Sequence, residues 1–442
     1  MIVQEPVIKV GLLENADRID GVFEGGYRLH EEHTLNGTFD VQCSAGEITI
    51  GDGTGKPIAH GTTIICRAVP GSRCRIRNVT IGRKFHWERK EEQVFGGDII
   101  FRSQTNDTLM VINEIPLEEY LASVISSEMS ASAPSDFLQA HSIISRSWLL
   151  AMVGKKHLPK PRDTRGADRP DEECVRWYDR EEHSVYDVCA DDHCQRYHGL
   201  SRIRSHNVLS AVQKTRGVVL VYGNTICDAR YSKCCGGWTE EFESAWEPTH
   251  IPYLTGINDS AIDRNPLTNE KEVSEWILSA PDAYCRTTDD SILRCILPSF
   301  DQETKDFYRW QVSYAREELE GIIKEKSGID FGTLTDLIPL QRGSSGRIVR
   351  LKIVGTDRTF IVGKELEIRR WLSKSHLRSS AFVVETDRGD GGIPGKFTIR
   401  GAGWGHGVGL CQIGAAVMAM KGESTEKILR HYYRDAVLRT LY

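Results

Sequence analysis

The chain has 442 residues, and its 56 Lys and Arg against 62 Asp and Glu give a formal charge of −6 at pH 7. This acidic average argues against a nucleic acid as the main ligand. With 40% hydrophobic and 27% charged residues, the composition is typical of a globular protein of two or three domains rather than a disordered one. No apolar run approaches the roughly 20 residues that span a bilayer, so we expect no transmembrane segment.

The N-terminal residues and the cysteines give the only compositional hints about the compartment. The first residues, Met1-Ile-Val-Gln-Glu-Pro6, lack the basic and apolar regions of a secretory signal. This start predicts a cytoplasmic protein. Twelve cysteines are too dilute for a small disulfide scaffold, and in a reducing compartment metal binding or burial is favoured over disulfides.

Short β-rich runs separated by glycine and asparagine turns occupy the first hundred residues. The runs are Val7–Leu12, Phe39–Gln42, Glu47–Ile50 and Thr63–Arg67. Their length and spacing predict a β-rich N-terminal domain over residues 1–105.

After residue 105 the apolar spacing changes to that of helices. Pro116 is followed by an apolar stripe from Leu117 to Ile125, which predicts an amphipathic helix ending near Met129. A second helix is predicted from Ser135, and the short connection between the two favours a helical hairpin.

The rest of the chain alternates short strands with helices, and we predict an α+β fold. Residues 106–442 form the expected catalytic region, a mixed α/β arrangement with the helical hairpin and short strands. Within it, residues 154–182 are rich in charge and proline and are predicted to be a solvated insertion. Residues 266–345 are predicted to be an accessory segment of mixed structure.

Two residues of the hairpin are candidates for chemistry. Glu128 falls at the C-terminal end of the first helix, where the macrodipole disfavours an anion and so favours the protonated form that a general acid needs. An ordinary solvated glutamate is the alternative. Arg146, on the second helix, has the geometry to hold a substrate carboxylate through two parallel hydrogen bonds. A surface ion pair is the alternative for Arg146.

Two histidines and two cysteines, His183, Cys189, His193 and Cys194, lie within a short stretch of the chain. Two thiolates and two imidazoles make a complete tetrahedral set for zinc. Four protein ligands leave no open coordination position, so such a zinc would be structural unless one ligand leaves. A disulfide between Cys189 and Cys194, or free buried cysteines, are the alternatives.

Tyr231 and Ser232 precede two adjacent cysteines and the pair Gly236-Gly237. Glycine at such a turn allows the backbone to pack close to a ligand, although a purely structural turn is the alternative.

Alternating glycines fill residues 401–414, at a predicted junction between a strand and a helix. Trp404, His406 and Gln412 lie among them. An aromatic face beside hydrogen-bonding groups suits a sugar ring, so this segment is a candidate glycan-binding loop. A close-packed turn without a ligand is the alternative.

Taken together, these motifs resemble the stage II sporulation protein D family, which includes amidase enhancers of the LytB type. The matching segments follow the family order over roughly residues 105 to 435. They are Pro116–Leu121, Ser127–Met129, Ile144–Ser147, Tyr186–Gln195, Gly236–Thr239, Ser345–Arg347, Gly403–Gln412 and Ile428–Tyr433.

The resemblance implies a lytic transglycosylase that cleaves the MurNAc-GlcNAc bond of denuded peptidoglycan glycan strands and leaves 1,6-anhydro-MurNAc ends. By this resemblance Glu128 is the catalytic acid and base, Arg146 is an essential cleft residue, and the segment from His183 to Cys194 binds zinc. The family usually works at the cell envelope.

Two other functions compete with this one. The first is a non-catalytic glycan-binding amidase enhancer, whose partner would be a cell-wall amidase. The second is a zinc-dependent cell-wall hydrolase that uses the cluster from His183 to Cys194 directly. One departure from the family pattern is Lys233-Cys-Cys235, where small hydroxylated residues are expected.

Overall fold

The computed structural model of the chain describes residues 4–30, 33–82, 88–155, 172–177, 183–191, 193–203, 205–262, 264–267, 269–302, 304–388 and 392–442. The fold is α+β, which confirms the predicted class. Two compact units are formed. The first contains Met1–Arg146, Arg180–Val219 and Arg439–Tyr442, and the second contains Ser147–Asp179 and Leu220–Leu438.

In chain order, the elements up to residue 155 are β1 (Val7–Ala16), β2 (Arg18–His30), β3 (His33–Ser44), β4 (Glu47–Asp52), β5 (Pro57–Gly61), β6 (Thr63–Ala68), β7 (Arg73–Ile81), β8 (Arg89–Phe95), β9 (Asp98–Ser103), β10 (Leu109–Pro116), α1 (Leu117–Glu128) and α2 (Ser135–Lys155). They are followed by β11 (Glu173–Val175), β12 (Val188–Cys189), α3 (His206–Lys214), β13 (Val218–Tyr222), β14 (Thr225–Ile226), β15 (Tyr231–Ser232), α4 (Phe242–Ala245), α5 (Glu270–Ser279) and α6 (Asp290–Ile296). The remainder are β16 (Arg309–Ala315), α7 (Arg316–Ser327), β17 (Leu334–Arg342), β18 (Ile348–Gly355), β19 (Thr359–Gly363), α8 (Glu365–Trp371), β20 (Phe382–Arg388), β21 (Pro394–Ala402), β22 (Leu410–Cys411), α9 (Gln412–Met420), α10 (Thr425–Tyr432) and β23 (Val437–Thr440). Among the described residues, no helix is long and apolar enough to cross a membrane.

The first unit is built on one large sheet with strand order β12-β1-β10-β9-β6-β2-β3-β4-β5, and β7 joins β2 to β8. Side chains alternate between the two faces, so that Ile48 and Ile50 of β4 are both buried. Phe23 and Phe39 stack across β2 and β3 with ring centroids 4.2 Å apart. The predicted β-rich layer is confirmed, and the sheet also recruits β10 and β12 from beyond residue 105.

The helical hairpin follows directly from the apolar spacing. Helix α1 begins after Pro116 and buries its predicted stripe, Leu117, Tyr120, Leu121, Val124 and Ile125. Helix α2 begins at Ser135, as predicted. Burial of an apolar stripe, rather than intrinsic helix propensity, supplies most of the stability of helices of this length.

The second unit contains several small sheets, among them those with orders β11-β19-β18-β17, β16-β21-β20 and β15-β22. Its main hydrophobic core includes Leu319 of α7, Ile368 and Trp371 of α8, Ile353 of β18 and Phe397 of β21. Residues 266–345, predicted to be an accessory segment, contain α5, α6, β16, α7 and β17.

The predicted solvated insertion, residues 154–182, is described only in part, because residues 156–171 and 178–182 lie outside the described residues. One part of the prediction is wrong. Glu173–Val175 forms β11, which pairs in parallel with β19, and Cys174 is buried in the core. The prediction failed because the charged residues around Cys174 dominate the composition of the segment, whereas the side chain of Cys174 itself packs in the core.

Candidate functional site

Glu128 is the last residue of α1, and only 8% of the residue is exposed. Its Oε1 accepts a hydrogen bond from the backbone N–H of Arg196 at 3.2 Å. The segment that carries this amide is itself fixed, because the Tyr120 hydroxyl donates to Gln195 Oε1 at 3.2 Å. The rings of Tyr120 and Tyr197 also stack, with centroids 5.2 Å apart. The carboxyl group is therefore held in one orientation at a helix end, and the alternative of a solvated glutamate is not what the structure shows.

His198 belongs to the same segment and lies in the interior of the first unit. The ring is buried, and burial, followed by the charges of Arg202 and Arg196, lowers the pKa of His198 to about 3. The unfolded chain, with a histidine pKa near 6.5, therefore binds one more proton than the folded chain between these values. Stability is present above about pH 6.5 and is lost as the pH falls toward 3.

We expect the free energy of unfolding to fall by up to about 1.4 kcal/mol per pH unit on this account as the pH is lowered below 6.5. Urea titrations at a series of pH values measure the slope. His198→Leu should flatten it, because the titrating group is removed, whereas the exposed residue His206 changed to leucine should leave it unchanged. An unaltered slope in His198→Leu would contradict this assignment.

Arg146 lies in the interior of the first unit. Its side chain is fully buried, and it makes a bidentate ion pair with Glu118, with Nε to Oε1 at 2.9 Å and Nη2 to Oε2 at 2.6 Å. Nη1 donates to the carbonyl oxygen of Val218 at 2.9 Å. Glu118 also accepts hydrogen bonds from the Gly217 amide and the Tyr442 hydroxyl. The guanidinium is therefore neutralised by Glu118 inside the first unit, so the alternative of a surface ion pair is wrong. The predicted role of Arg146 as a cleft residue stays a prediction.

Sequence reasoning missed Glu118 because its partner is 28 residues away in the chain. The one signal in the sequence was the position of Glu118 around the axis of the predicted helix. Glu118 lies on the same side of α1 as the buried stripe, immediately after Leu117, where a charged side chain requires a partner.

The predicted zinc ligands do come together in the first unit. Cys194 Sγ lies 3.5 Å from His183 Nε2 and 3.5 Å from His193 Nδ1, and Cys189 Sγ lies 3.9 Å from His193 Nδ1. All four donor atoms lie within 4.8 Å of one another. Strand β12 positions Cys189 beside β1, in register with Gly11.

These distances fit one tetrahedral zinc ion. With Zn–S near 2.3 Å and Zn–N near 2.0 Å, the edge between a sulfur and a nitrogen ligand is about 3.5 Å. Both cysteines are free, so the alternative disulfide is not formed. A hydrogen bond with Cys194 and burial raise the pKa of the Cys189 thiol to about 11 in the metal-free protein. Metal binding must therefore release protons.

The glycine loop, which we define as residues 403–409, lies in the second unit. Gly403, Gly405, Gly407 and Gly409 all adopt positive φ angles that side chains with a Cβ rarely adopt. Strand β15 pairs in parallel with β22, and Cys234 exchanges two backbone hydrogen bonds with Trp404. The two predicted binding segments are therefore neighbours.

Arg347, which is buried, locks the glycine loop from the interior. Its Nε and Nη2 donate to the carbonyl oxygen of Gly405 at 3.1 and 3.0 Å, and its Nη1 donates to the carbonyl oxygen of Cys235 at 3.2 Å. These contacts give a structural role to Arg347 of the segment Ser345-Gly-Arg347, to which the sequence alone assigned no role.

The predicted substrate-binding residues divide into two groups. Ser232 and Gln412 are buried. Tyr231, Trp404 and His406 are partly exposed. The role of all five in binding stays a prediction.

The two partly exposed side chains of the glycine loop have defined surroundings. The Arg378 guanidinium lies 5.2 Å from the centroid of the Trp404 ring, and Phe307 packs beside that ring at 4.9 Å. His406 Nδ1 accepts a hydrogen bond from the Val408 amide at 3.0 Å, so the neutral ring carries its proton on Nε2.

Gly407→Ala tests the packing of the glycine loop. A Cβ at Gly407 would lie 2.4 Å from the Arg347 guanidinium, whereas a Cβ at Gly422, which also has positive φ, meets nothing within 4 Å. Both alanine variants incur about 1–2 kcal/mol of backbone strain, and we expect a further 1–3 kcal/mol or so for Gly407→Ala from the overlap. Urea-induced unfolding of the two variants measures the difference. Equal stability would contradict the proposed packing.

Comparison with known proteins finds a family match in part of the chain. Residues 105–222 match the family described as Stage II sporulation protein, and residues 240–409 match a domain of unknown function. The chain is 26% identical to stage II sporulation protein D of Bacillus amyloliquefaciens over 73% of its own length and 74% of that protein. Residues 105–222 therefore form a domain that matches the Stage II sporulation protein family, and the relatives named stage II sporulation protein D support this match. This confirms the resemblance inferred from the motifs.

Further relatives extend this result. The chain is 23% identical to stage II sporulation protein D of Bacillus subtilis, over 73% of its length and 74% of that protein. It is also 26% identical to a protein of Bacillus subtilis named amidase enhancer, over 52% of the chain and 32% of that longer protein. Glu128, Arg146 and the four predicted zinc ligands all lie within the segment that matches the sporulation-protein family.

Proposed function

We propose that the chain is a lytic transglycosylase that acts on denuded peptidoglycan glycan strands, with Glu128 as its acid and base. The match of residues 105–222 to the Stage II sporulation protein family and the relative named amidase enhancer support a cell-wall-related role. The observation that carries the finer proposal is the position of Glu128, which lies in the family-matching segment at the end of α1 and is oriented by the Arg196 amide.

A single carboxyl group suffices for this reaction. Glu128 protonates the oxygen that leaves C1 of the muramic acid as the glycosidic bond breaks. The C6 hydroxyl of the same sugar then bonds to C1, and its proton passes to the Glu128 carboxylate. The proton is thereby restored, water is not consumed, and no second carboxylate is needed, unlike in the two-carboxylate hydrolases.

The hydrogen bond from the Arg196 amide holds Oε1 of Glu128 in a fixed position. A carboxyl group held in this way can deliver a proton and take one back at the same place in each cycle, as the proposed reaction requires.

The cluster of His183, Cys189, His193 and Cys194 would hold zinc, which would tie β12 to the following loop as a structural crosslink. Because all four positions around the ion would be filled by protein, we assign it no step in the reaction. This places the zinc-dependent hydrolase below the lytic transglycosylase among the candidate functions.

A second candidate, the non-catalytic amidase enhancer, is favoured by the amidase enhancer relative and by the glycine loop. The partly exposed Trp404 and His406 provide an aromatic face and an N–H donor, which would suit binding of a sugar without cleavage. Under this proposal the chain would present glycan strands to an amidase.

Mass spectrometry of the products separates the candidate functions. Purified protein is incubated with glycan strands that lack stem peptides and, as a control, with strands that retain them. We expect anhydro-ended fragments from the denuded strands. Reducing ends would indicate a hydrolase. Binding without cleavage, combined with faster release of stem peptides by an added amidase, would establish the enhancer.

A further inference from the structure

A second cluster of metal-binding side chains lies in the second unit, and all four of its members are buried. They are Cys235, Asp259, Cys285 and Cys411, and their donor atoms lie within 4.8 Å of one another. Each comes from a separate part of the chain. Cys235 follows β15, Cys285 lies between α5 and α6, and Cys411 ends β22 immediately before α9.

The distances favour a single ion. The sulfur atoms of Cys235 and Cys285 are 3.6 Å apart, close to the edge of about 3.8 Å between two thiolates on one tetrahedral zinc. A disulfide would require about 2.05 Å, and all three cysteines are free. An iron–sulfur cluster distributes its ligands over two or more irons, so its ligand atoms would not all lie within 4.8 Å of one another as these four do. Cys235 Sγ also lies 3.0 Å from Asp259 Oδ2, so the carboxylate faces the thiols.

The surroundings of Asp259 resemble the outer contacts of a metal ligand. Its Oδ1 accepts a hydrogen bond from the Tyr432 hydroxyl at 2.8 Å and lies 3.3 Å from His431 Nε2. These contacts fix the carboxylate so that Oδ2 faces the thiols. Hydrogen bonds to the second oxygen are a common means of orienting a ligating carboxylate.

Backbone amides point at two of the sulfur atoms. Cys411 Sγ accepts from the amides of Cys235 at 3.2 Å and Gly414 at 3.4 Å, and Cys235 Sγ accepts from the amide of Gly237 at 3.3 Å. N–H donors aimed at sulfur stabilise a thiolate. These N–H contacts are a second observation, independent of the spacing of the donors, and they are of the kind that orient a sulfur ligand toward a metal ion.

We propose that Cys235, Asp259, Cys285 and Cys411 form a second metal site, which holds one zinc ion or a similar thiophilic divalent cation. Four protein ligands in a buried position leave neither an open coordination site nor access for substrate, so the ion is structural. The ion would crosslink segments up to 176 residues apart. One of its ligands, Cys411, belongs to β22, the strand that follows the glycine loop. The site is independent of the proposed glycan chemistry.

Metal analysis of a variant that leaves this site intact tests the proposal. His183→Ala combined with Cys194→Ser removes two donors of the first cluster, and the full-length variant is purified and its zinc content is measured. We expect one zinc per chain. After exchange with Co²⁺, we also expect an intense near-ultraviolet band from thiolate ligation. A folded variant without metal and without this band would overturn the proposal.

Two further substitutions in the same background assign the ion to its ligands. Cys285→Ser should reduce the metal content from one ion per chain to none. Cys227→Ser removes another buried cysteine of the second unit that is not among the four donors, and it should retain the ion. Unchanged metal in Cys285→Ser would exclude this site. If Cys285→Ser does not fold, the variant with the intact site still gives the decisive result. Glycan cleavage is not a readout in any of these measurements, so failure of the proposed function would not affect them.

Discussion

Glu128→Gln is expected to reduce the rate of glycan cleavage by about 10²–10⁴-fold, the usual contribution of a positioned acid and base. Glutamine preserves the shape of the side chain and an oxygen for the Arg196 amide, but it can neither donate the proton to the leaving oxygen nor accept one from the C6 hydroxyl. Release of anhydro-ended fragments over time, at saturating strand concentration, measures the effect.

Glu119→Gln is the matched control for this measurement. Glu119 lies on the same helix, α1, but is exposed, so the same chemical change there should leave the rate within about twofold of the unmodified protein. Strand binding should also be preserved in Glu128→Gln. If Glu128→Gln cleaved strands as fast as Glu119→Gln, the carboxyl group of Glu128 would not be the catalyst.

Arg146→Met is expected to destabilise the protein by about 3–5 kcal/mol, because it leaves the Glu118 carboxylate buried without its cation. Breaking an exposed pair should cost far less. Arg18, which pairs with Asp20 and has a side chain 55% exposed, is the control, and Arg18→Met should change stability by about 1 kcal/mol or less. Urea-induced unfolding measures both.

The double variant Arg146→Met with Glu118→Leu separates two roles for Arg146. If the arginine serves only to match Glu118, removal of both charges should recover most of the lost stability, because apolar side chains can replace a buried ion pair at little cost. If Arg146 also contributes to glycan cleavage through the positions of α1 and α2, the double variant should be stable but cleave strands slowly. A single Arg146→Met variant with unchanged stability would contradict the structural pairing.

The fold was predictable wherever the apolar pattern is local. The stripe from Leu117 to Ile125 has one period and one face, so both the existence and the end of α1 could be inferred. The short strand Glu173–Val175 was not, because its partner β19 is almost 190 residues further along the chain and its neighbours in sequence are charged. Sheet pairing over such distances leaves no local signal.

The candidate sites also differ in whether their residues are close together in the sequence. The donors from His183 to Cys194 are close in sequence, so a metal cluster could be predicted from spacing, and the structure brings them together. Cys285 and Cys411 are 50 and 176 residues from Cys235, and nothing in their spacing indicates that they meet. Arg146 shows the remaining limit. Residue type indicated a carboxylate partner, but only the structure reveals that Glu118, inside the protein, is that partner.

Isotope labelling of the newly formed sugar ends tests the central claim most directly. Denuded strands are cleaved in water enriched in ¹⁸O, and the fragment ends are examined by mass spectrometry. If the C6 hydroxyl captures C1 with Glu128 as acid and base, every new muramic end should be anhydro, without ¹⁸O, and Glu128→Gln should produce almost none. New reducing ends that carry ¹⁸O would show that water is the nucleophile and would contradict a lytic transglycosylase.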